Sequence, residues 1–158
     1  MKTFNWPKHS ILAIAIVLTW IKTYVVYHIS FDMKIENVMQ QLILFLNPLS
    51  FLLFIYGVSL FFKSVKARNR YLLITSSILA VILYANVAFY RFFSDFITLP
   101  VLFQTSNFGD LGASAAESIF LTDIFYFADV VLLFVAMKFI VVEKEIGIIK
   151  PAIRKAYF

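Results

Sequence analysis

An α-helix needs roughly twenty consecutive apolar residues to cross a hydrocarbon core about 30 Å thick. This chain offers such stretches at about 11–29, 41–62, 71–90 and 119–142, with basic residues beside them. In lipid every backbone N–H and C=O must be satisfied within the chain, so these stretches are predicted to be helices. The expected fold is an all-α integral membrane protein, with residues 1–158 forming one polytopic transmembrane domain. Composition agrees: 62% of residues are hydrophobic and 15% charged, whereas soluble domains carry about a quarter charged residues. Lys2 and Lys8 before the first stretch resemble the start of a signal peptide. Lys22-Thr23-Tyr24 stands where a small-residue cleavage site would be needed, so the first span is read as uncleaved.

Orientation follows from the basic residues of the short loops. Lys2 and Lys8 precede span one, Lys63, Lys66, Arg68 and Arg70 join spans two and three, and Lys144, Lys150, Arg154 and Lys155 follow span four. The opposite loops hold Lys34 and Arg91 among Asp32, Glu36, Asp95, Asp110, Glu117 and Asp123. The N-terminus is therefore expected to be cytoplasmic. The net charge of +5 is explained by this topology rather than by nucleic acid. The ending from Lys150 to Phe158 reads as the basic lead-in to a fifth span.

Two charges fall inside spans. Lys22 lies roughly 10 Å below the outer end of span one, and Asp129 roughly 15 Å below that of span four. Side chains tilt toward the N-terminus of their helix, so on antiparallel spans these two approach a common depth. This suggests a Lys22–Asp129 pair, or Lys22–Asp123 if span four sits higher; the equal alternative is that each charge faces polar groups or water separately. Asn47-Pro48 interrupts span two, where proline removes a donor and crowds the Leu44 carbonyl. Asn86 in span three suits interhelical hydrogen bonding.

Beyond span three, Arg91 and Asp95 have the i, i+4 spacing of a helical ion pair. The residues at about 92–112 are too apolar for a free loop and too interrupted for a span, which predicts an outward interfacial segment. Arg91 is the candidate for a lipid headgroup phosphate, with Asp95 orienting it, Asn86 supporting it from below and Lys22 offering a second contact. Catalytic residues are expected to be none: no Ser/His/Asp set, phosphate-cradling glycine loop or histidine cluster is present. With no Cys there is no thiolate metal site, and no cofactor is expected in this chain.

Leu83-Tyr84-Ala85-Asn86-Val87 followed by Tyr90-Arg91-Phe92-Phe93-Ser94-Asp95-Phe96 is more distinctive than generic apolar sequence. It resembles the membrane domain of the lipoteichoic acid synthase family of Gram-positive bacteria. Lys22-Thr23-Tyr24, Leu46-Asn47-Pro48, Phe61-Phe62-Lys63 and Phe125-Tyr126-Phe127 with Asp129 extend the resemblance along the chain. The resemblance implies five spans followed by an extracellular sulfatase-like domain, absent here, which holds Mn or Mg and a threonine nucleophile. It implies transfer of glycerol phosphate from phosphatidylglycerol to a growing polymer in lipoteichoic acid and cell wall biogenesis. The implied partners are membrane lipids, phosphatidylglycerol among them, the protein's own catalytic domain and other envelope proteins. The implied place is the bacterial cell membrane. The alternative is a non-enzymatic scaffold or accessory subunit. A transporter is disfavoured because no pair of broken helices recurs in matching positions.

Overall fold

The structure is a computed structural model and describes residues 10–98 and 120–139. Helix α1 runs Ser10–Ser30, α2 Val38–Gly57 and α3 Val65–Phe93. After α2 the chain tightens into a 3-10 turn, Val58–Phe61. A second 3-10 segment, Leu121–Phe127, leads into α4, which is helical over the described residues 128–139. The connections between α1, α2 and α3 are short, which sets each helix antiparallel to the next. One end of the bundle therefore gathers the C-termini of α1 and α3 with the N-termini of α2 and α4, and is called the upper end below.

Among the described residues three helices have the length and hydropathy of membrane spans: Ser10–Ser30, Val38–Phe61 and Val65–Phe93. The domain is thus membrane-embedded, and its regular structure among the described residues is helical. The stretch expected as the fourth span is described only over 120–139, and the lead-in to the fifth lies outside the described residues. Of the interfacial segment expected at 92–112, Phe92 and Phe93 belong to α3, residues 94–98 are non-helical, and the rest lies outside the described residues.

Helix α3 is longer than the apolar run at 71–90 suggests, because an apolar run measures the hydrocarbon thickness and not the helix. The 29 residues of α3 make a rod of about 43 Å at 1.5 Å per residue, well beyond a core of about 30 Å. Its first turns carry Lys66, Arg68 and Arg70 and its last turn Arg91, charges suited to headgroup depth. Helix α2 starts early because Asn37 caps it, its side chain accepting from the Gln40 N–H at 2.9 Å. Helix α3 stops at Ser94, which takes a left-handed φ of 53° while its N–H bonds to the Tyr90 carbonyl.

Each packed helix buries a stripe at four-residue spacing. On α1 it is Ile11, Ala15 and Thr19, on α3 Arg68, Leu72, Ser76 and Ala80, and on α4 Asp129, Leu133 and Met137. Small residues on these stripes let backbones approach, the usual substitute for a hydrophobic drive that lipid does not provide. The lower core joins Ile11, Ala15, Leu52, Tyr56, Leu72, Leu133 and Met137. A smaller upper core joins Val26, Phe31 and Val87, ringed by Tyr27, Leu83, Tyr90 and Tyr126. Outward faces remain apolar, with Phe54, Phe61, Ile78 and Val131 all exposed.

Candidate functional site

Two ion pairs tie the Leu121–Phe127 segment and α4 to the older helices. Lys22 Nζ on α1 lies 2.8 Å from Asp129 Oδ1, and the side chains are 10% and 3% exposed. Thr19, one turn before Lys22, donates its hydroxyl to Asp129 Oδ2 at 3.3 Å. The Thr19 hydroxyl also meets the Tyr56 hydroxyl at 2.9 Å, and Tyr56 meets Ser76 Oγ at 2.7 Å. One polar line thus crosses the bundle from α4 through α1 and α2 to α3. Every member except Lys22 is buried.

The second pair sits nearer the upper end. Arg91 grips Asp123 with both arms of its guanidinium: Nη1 to Oδ2 and Nη2 to Oδ1, each 2.8 Å. Asp123 Oδ2 also accepts from the Tyr84 hydroxyl and from the Phe120 N–H, both at 2.9 Å. Three donors thus meet Oδ2 and one meets Oδ1, which holds the carboxylate from three sides while leaving Oδ1 some accepting capacity. Its bond to Phe120 opens the 3-10 segment in the manner of a helix-capping carboxylate. Arg91 Nη2 further donates to the Tyr126 hydroxyl at 3.2 Å, and that hydroxyl meets Ser30 Oγ at 2.9 Å. The guanidinium faces the Phe120 ring at 5.3 Å and the Tyr126 ring at 5.7 Å from their centroids, within cation–π range.

The residues singled out from sequence are placed as follows. Lys22 and Asp129 are in contact, and Asp123, the other partner considered for Lys22, is held by Arg91. Asp95 lies past the end of α3, where its carboxylate accepts from the Phe96 N–H at 2.7 Å. The left-handed turn at Ser94 breaks the helical spacing on which an Arg91–Asp95 pair depends. Asn86 binds its own helix through Nδ2 to the Ile82 carbonyl, 3.0 Å, and holds the returning chain through Oδ1 to the Ile97 N–H, 3.2 Å. That return packs Phe96 on Phe31 and Tyr90. Sequence reasoning named Tyr84 and Tyr126 within the motifs of the resemblance and did not foresee their hydrogen bonds to Asp123 and Arg91. The signal it passed over was an acid, Asp123, at the same end of the bundle as the lone basic residue of that loop.

Lys22 and Arg91 line one cavity of about 340 Å³ between α1 and the Leu121–Phe127 segment, together with Asp123 and Tyr126. Both cations are ion-paired, but of their two partners Asp123 alone lines the cavity, so its wall carries one more positive than negative side chain and presents N–H donors from two helices. Among the described residues no group of three or more His, Cys, Asp or Glu side chains could hold a metal ion.

The fold and the paired charges define a class: a polytopic helical membrane domain with a polar rim at one end. The family profile described as Lipoteichoic acid synthase N-terminal domain matches residues 1–158, and the chain belongs to that family. It is 44% identical over 133 residues to lipoteichoic acid synthase-like YvgJ of Bacillus subtilis, covering 84% of this chain and 21% of that protein. It is 44% identical over 137 residues to lipoteichoic acid synthase 2 of the same organism, covering 85% and 21%. With lipoteichoic acid synthase of Staphylococcus aureus the identity is 37% over 116 residues, covering 73% and 18%. The chain spans about a fifth of the length of the curated relatives it matches. No solved structure matches it.

Proposed function

We propose that this domain anchors an extracellular phosphoglycerol transferase and presents phosphatidylglycerol to it along the upper end. In this reading the N-terminus is cytoplasmic, four spans are followed by a fifth, and a sulfatase-like domain with Mn or Mg lies beyond. The parent protein then transfers glycerol phosphate to a growing polyglycerol-phosphate chain. Family membership supports the reaction, and the loop charges support the orientation. The observation that carries the presenting role is the cavity holding Lys22 and Arg91 from two different helices. A lipid phosphate at its mouth meets an ammonium and a guanidinium, the usual donors for phosphate. Asp123 rather than Asp95 orients the guanidinium, because its four hydrogen bonds fix the fork against the Leu121–Phe127 segment.

The test separates a headgroup contact from a structural clasp. Arg91→Glu in the full-length protein is expected to abolish polymer synthesis, but it also strands Asp123. The double variant Arg91→Gln with Asp123→Asn removes the cation without leaving a lone charge. Loss of synthesis at an unchanged protein level supports the phosphate role. Unchanged synthesis at an unchanged level discards it and leaves Arg91 as a clasp.

A further inference from the structure

Helix α2 is flanked at its proline by two cavities that the ion pairs do not touch. The larger, about 420 Å³, lies between α1, α2 and α3, and the smaller, about 200 Å³, lies on the α1–α2 side. Tyr27, Asn47 and Pro48 line both, so the two cavities adjoin at the proline notch. The larger one alone falls within the roughly 300–1,000 Å³ range of small-molecule sites.

Most polar side chains around the larger cavity are engaged. Thr23 donates to the Thr19 carbonyl at 2.8 Å, Thr19 meets Tyr56, and both ends of the Asn86 amide are bonded. Two are not. Among the described residues neither the Tyr27 hydroxyl nor the Asn47 amide makes a hydrogen bond, although both line the cavities. Asn47 is exposed in the middle of a membrane-length helix. Pro48 adds a third group: having no N–H, it leaves the Leu44 carbonyl without a helical donor, and Leu44 lines the smaller cavity. A donor, an amide and an orphan acceptor thus converge on an apolar hollow, where unmet polar groups are costly.

We propose that this notch binds an uncharged lipid carrying a free hydroxyl, of the diacylglycerol type. The lipid hydroxyl donates to the Leu44 carbonyl or the Asn47 amide oxygen. An ester carbonyl accepts from the Tyr27 hydroxyl or Asn47 Nδ2, and an acyl chain fills the larger cavity against Phe51 and Leu83. Among the described residues no charged side chain lines either cavity, so a phosphate there would lack a counter-charge in a setting where bare charge is penalised. The site is separate from the Lys22–Arg91 cavity, and its test does not depend on the transfer reading.

The experiment places the full-length protein in phosphatidylcholine nanodiscs with a photoreactive diacylglycerol and maps the labelled peptides. Labelling is expected around residues 43–51 and 27, displaced by unlabelled dioleoylglycerol and resisted by trioleoylglycerol and dioleoylphosphatidylglycerol. Tyr27→Phe keeps the ring and removes one oxygen, and Asn47→Leu removes the amide. Each is expected to lower labelling about fivefold, the equivalent of one neutral hydrogen bond. Equal labelling of Tyr27→Phe at equal folded yield would overturn the proposal. So would equal competition by trioleoylglycerol, which needs only an apolar hollow, or by the phosphatidylglycerol. Copy-to-copy crosslinking through Asn47→Cys without lipid labelling would make the notch a self-association surface instead.

Discussion

Replacing Lys22 by Met, or Asp129 by Asn, removes one half of a pair whose side chains are only 10% and 3% exposed. The remaining charge then has neither its partner nor water. Breaking a buried pair in this way costs about 3–5 kcal/mol, more than half the stability of a marginal domain. Thr19 offers little relief, because its hydroxyl reaches Asp129 at a long 3.3 Å and is already shared with Tyr56. Removing both charges together is a different perturbation. Lys22→Met with Asp129→Asn leaves no charge, and the amide retains Thr19 as a donor. The double variant is expected within about 1–2 kcal/mol of the parent, because a buried pair contributes little net stability against uncharged replacements. From these figures the coupling energy is at least about 4 kcal/mol, above the roughly 0.5–3 kcal/mol usual for contacting residues. The assay is equilibrium unfolding in mixed micelles against the mole fraction of denaturing detergent, followed by far-ultraviolet circular dichroism. Single variants that each lose less than about 1 kcal/mol and combine additively would refute the reasoning, since that is how two solvated charges behave.

Other outcomes follow from the upper end. Asn86→Ala frees the Ile97 N–H, so hydrogen exchange at that amide should rise about fivefold, the worth of one hydrogen bond; unchanged exchange would mean the returning segment is held by its aromatic contacts alone. Ser94→Gly relieves a left-handed residue at φ 53° and should raise stability by about 1 kcal/mol. A lower midpoint would show that the Ser94 side chain matters more than its backbone. The domain contains no cysteine, so single cysteines report topology cleanly. In intact cells Lys34→Cys should react with an impermeant maleimide and Lys66→Cys only after lysis; the reverse pattern would invert the orientation.

The helices were legible because lipid permits few alternatives to a helix, and an apolar run of sufficient length has one reading. Their ends were less legible. Asn37 capping α2 and the left-handed Ser94 ending α3 are backbone events, and hydropathy has no sensitivity to them. Lys22 and Asp129 stood out as charges at matched depth on antiparallel helices, and the structure puts them 2.8 Å apart. Asp123 was harder to place. Its contact with Arg91 depends on the 3-10 geometry of Leu121–Phe127, which rotates side chains differently from a helix beginning at residue 119. The i, i+4 rule tied Arg91 to a local acid, whereas a sequence separation of 32 residues brings the actual one.

Both ion pairs hold the same part of the chain, residues 121–139, and neither involves α2. In water, apolar burial would drive all the helices together alike. In lipid the solvent is as apolar as the side chains, so directional polar contacts fix which helices adhere and where. Helix α2 is fastened differently, by Tyr56 in the hydroxyl line, by Trp20 donating to the Phe45 carbonyl at 2.7 Å, and by Gln41 bonding Tyr24 and His28 at the upper end. These are neutral bonds, each contributing about 1 kcal/mol, set against charge-assisted ones roughly twice as strong on the other side. The bundle is therefore asymmetric. Its ion-paired side carries the Lys22–Arg91 cavity, where charge-assisted bonds fix the geometry of the cations, while the side held by neutral hydrogen bonds carries the proline notch.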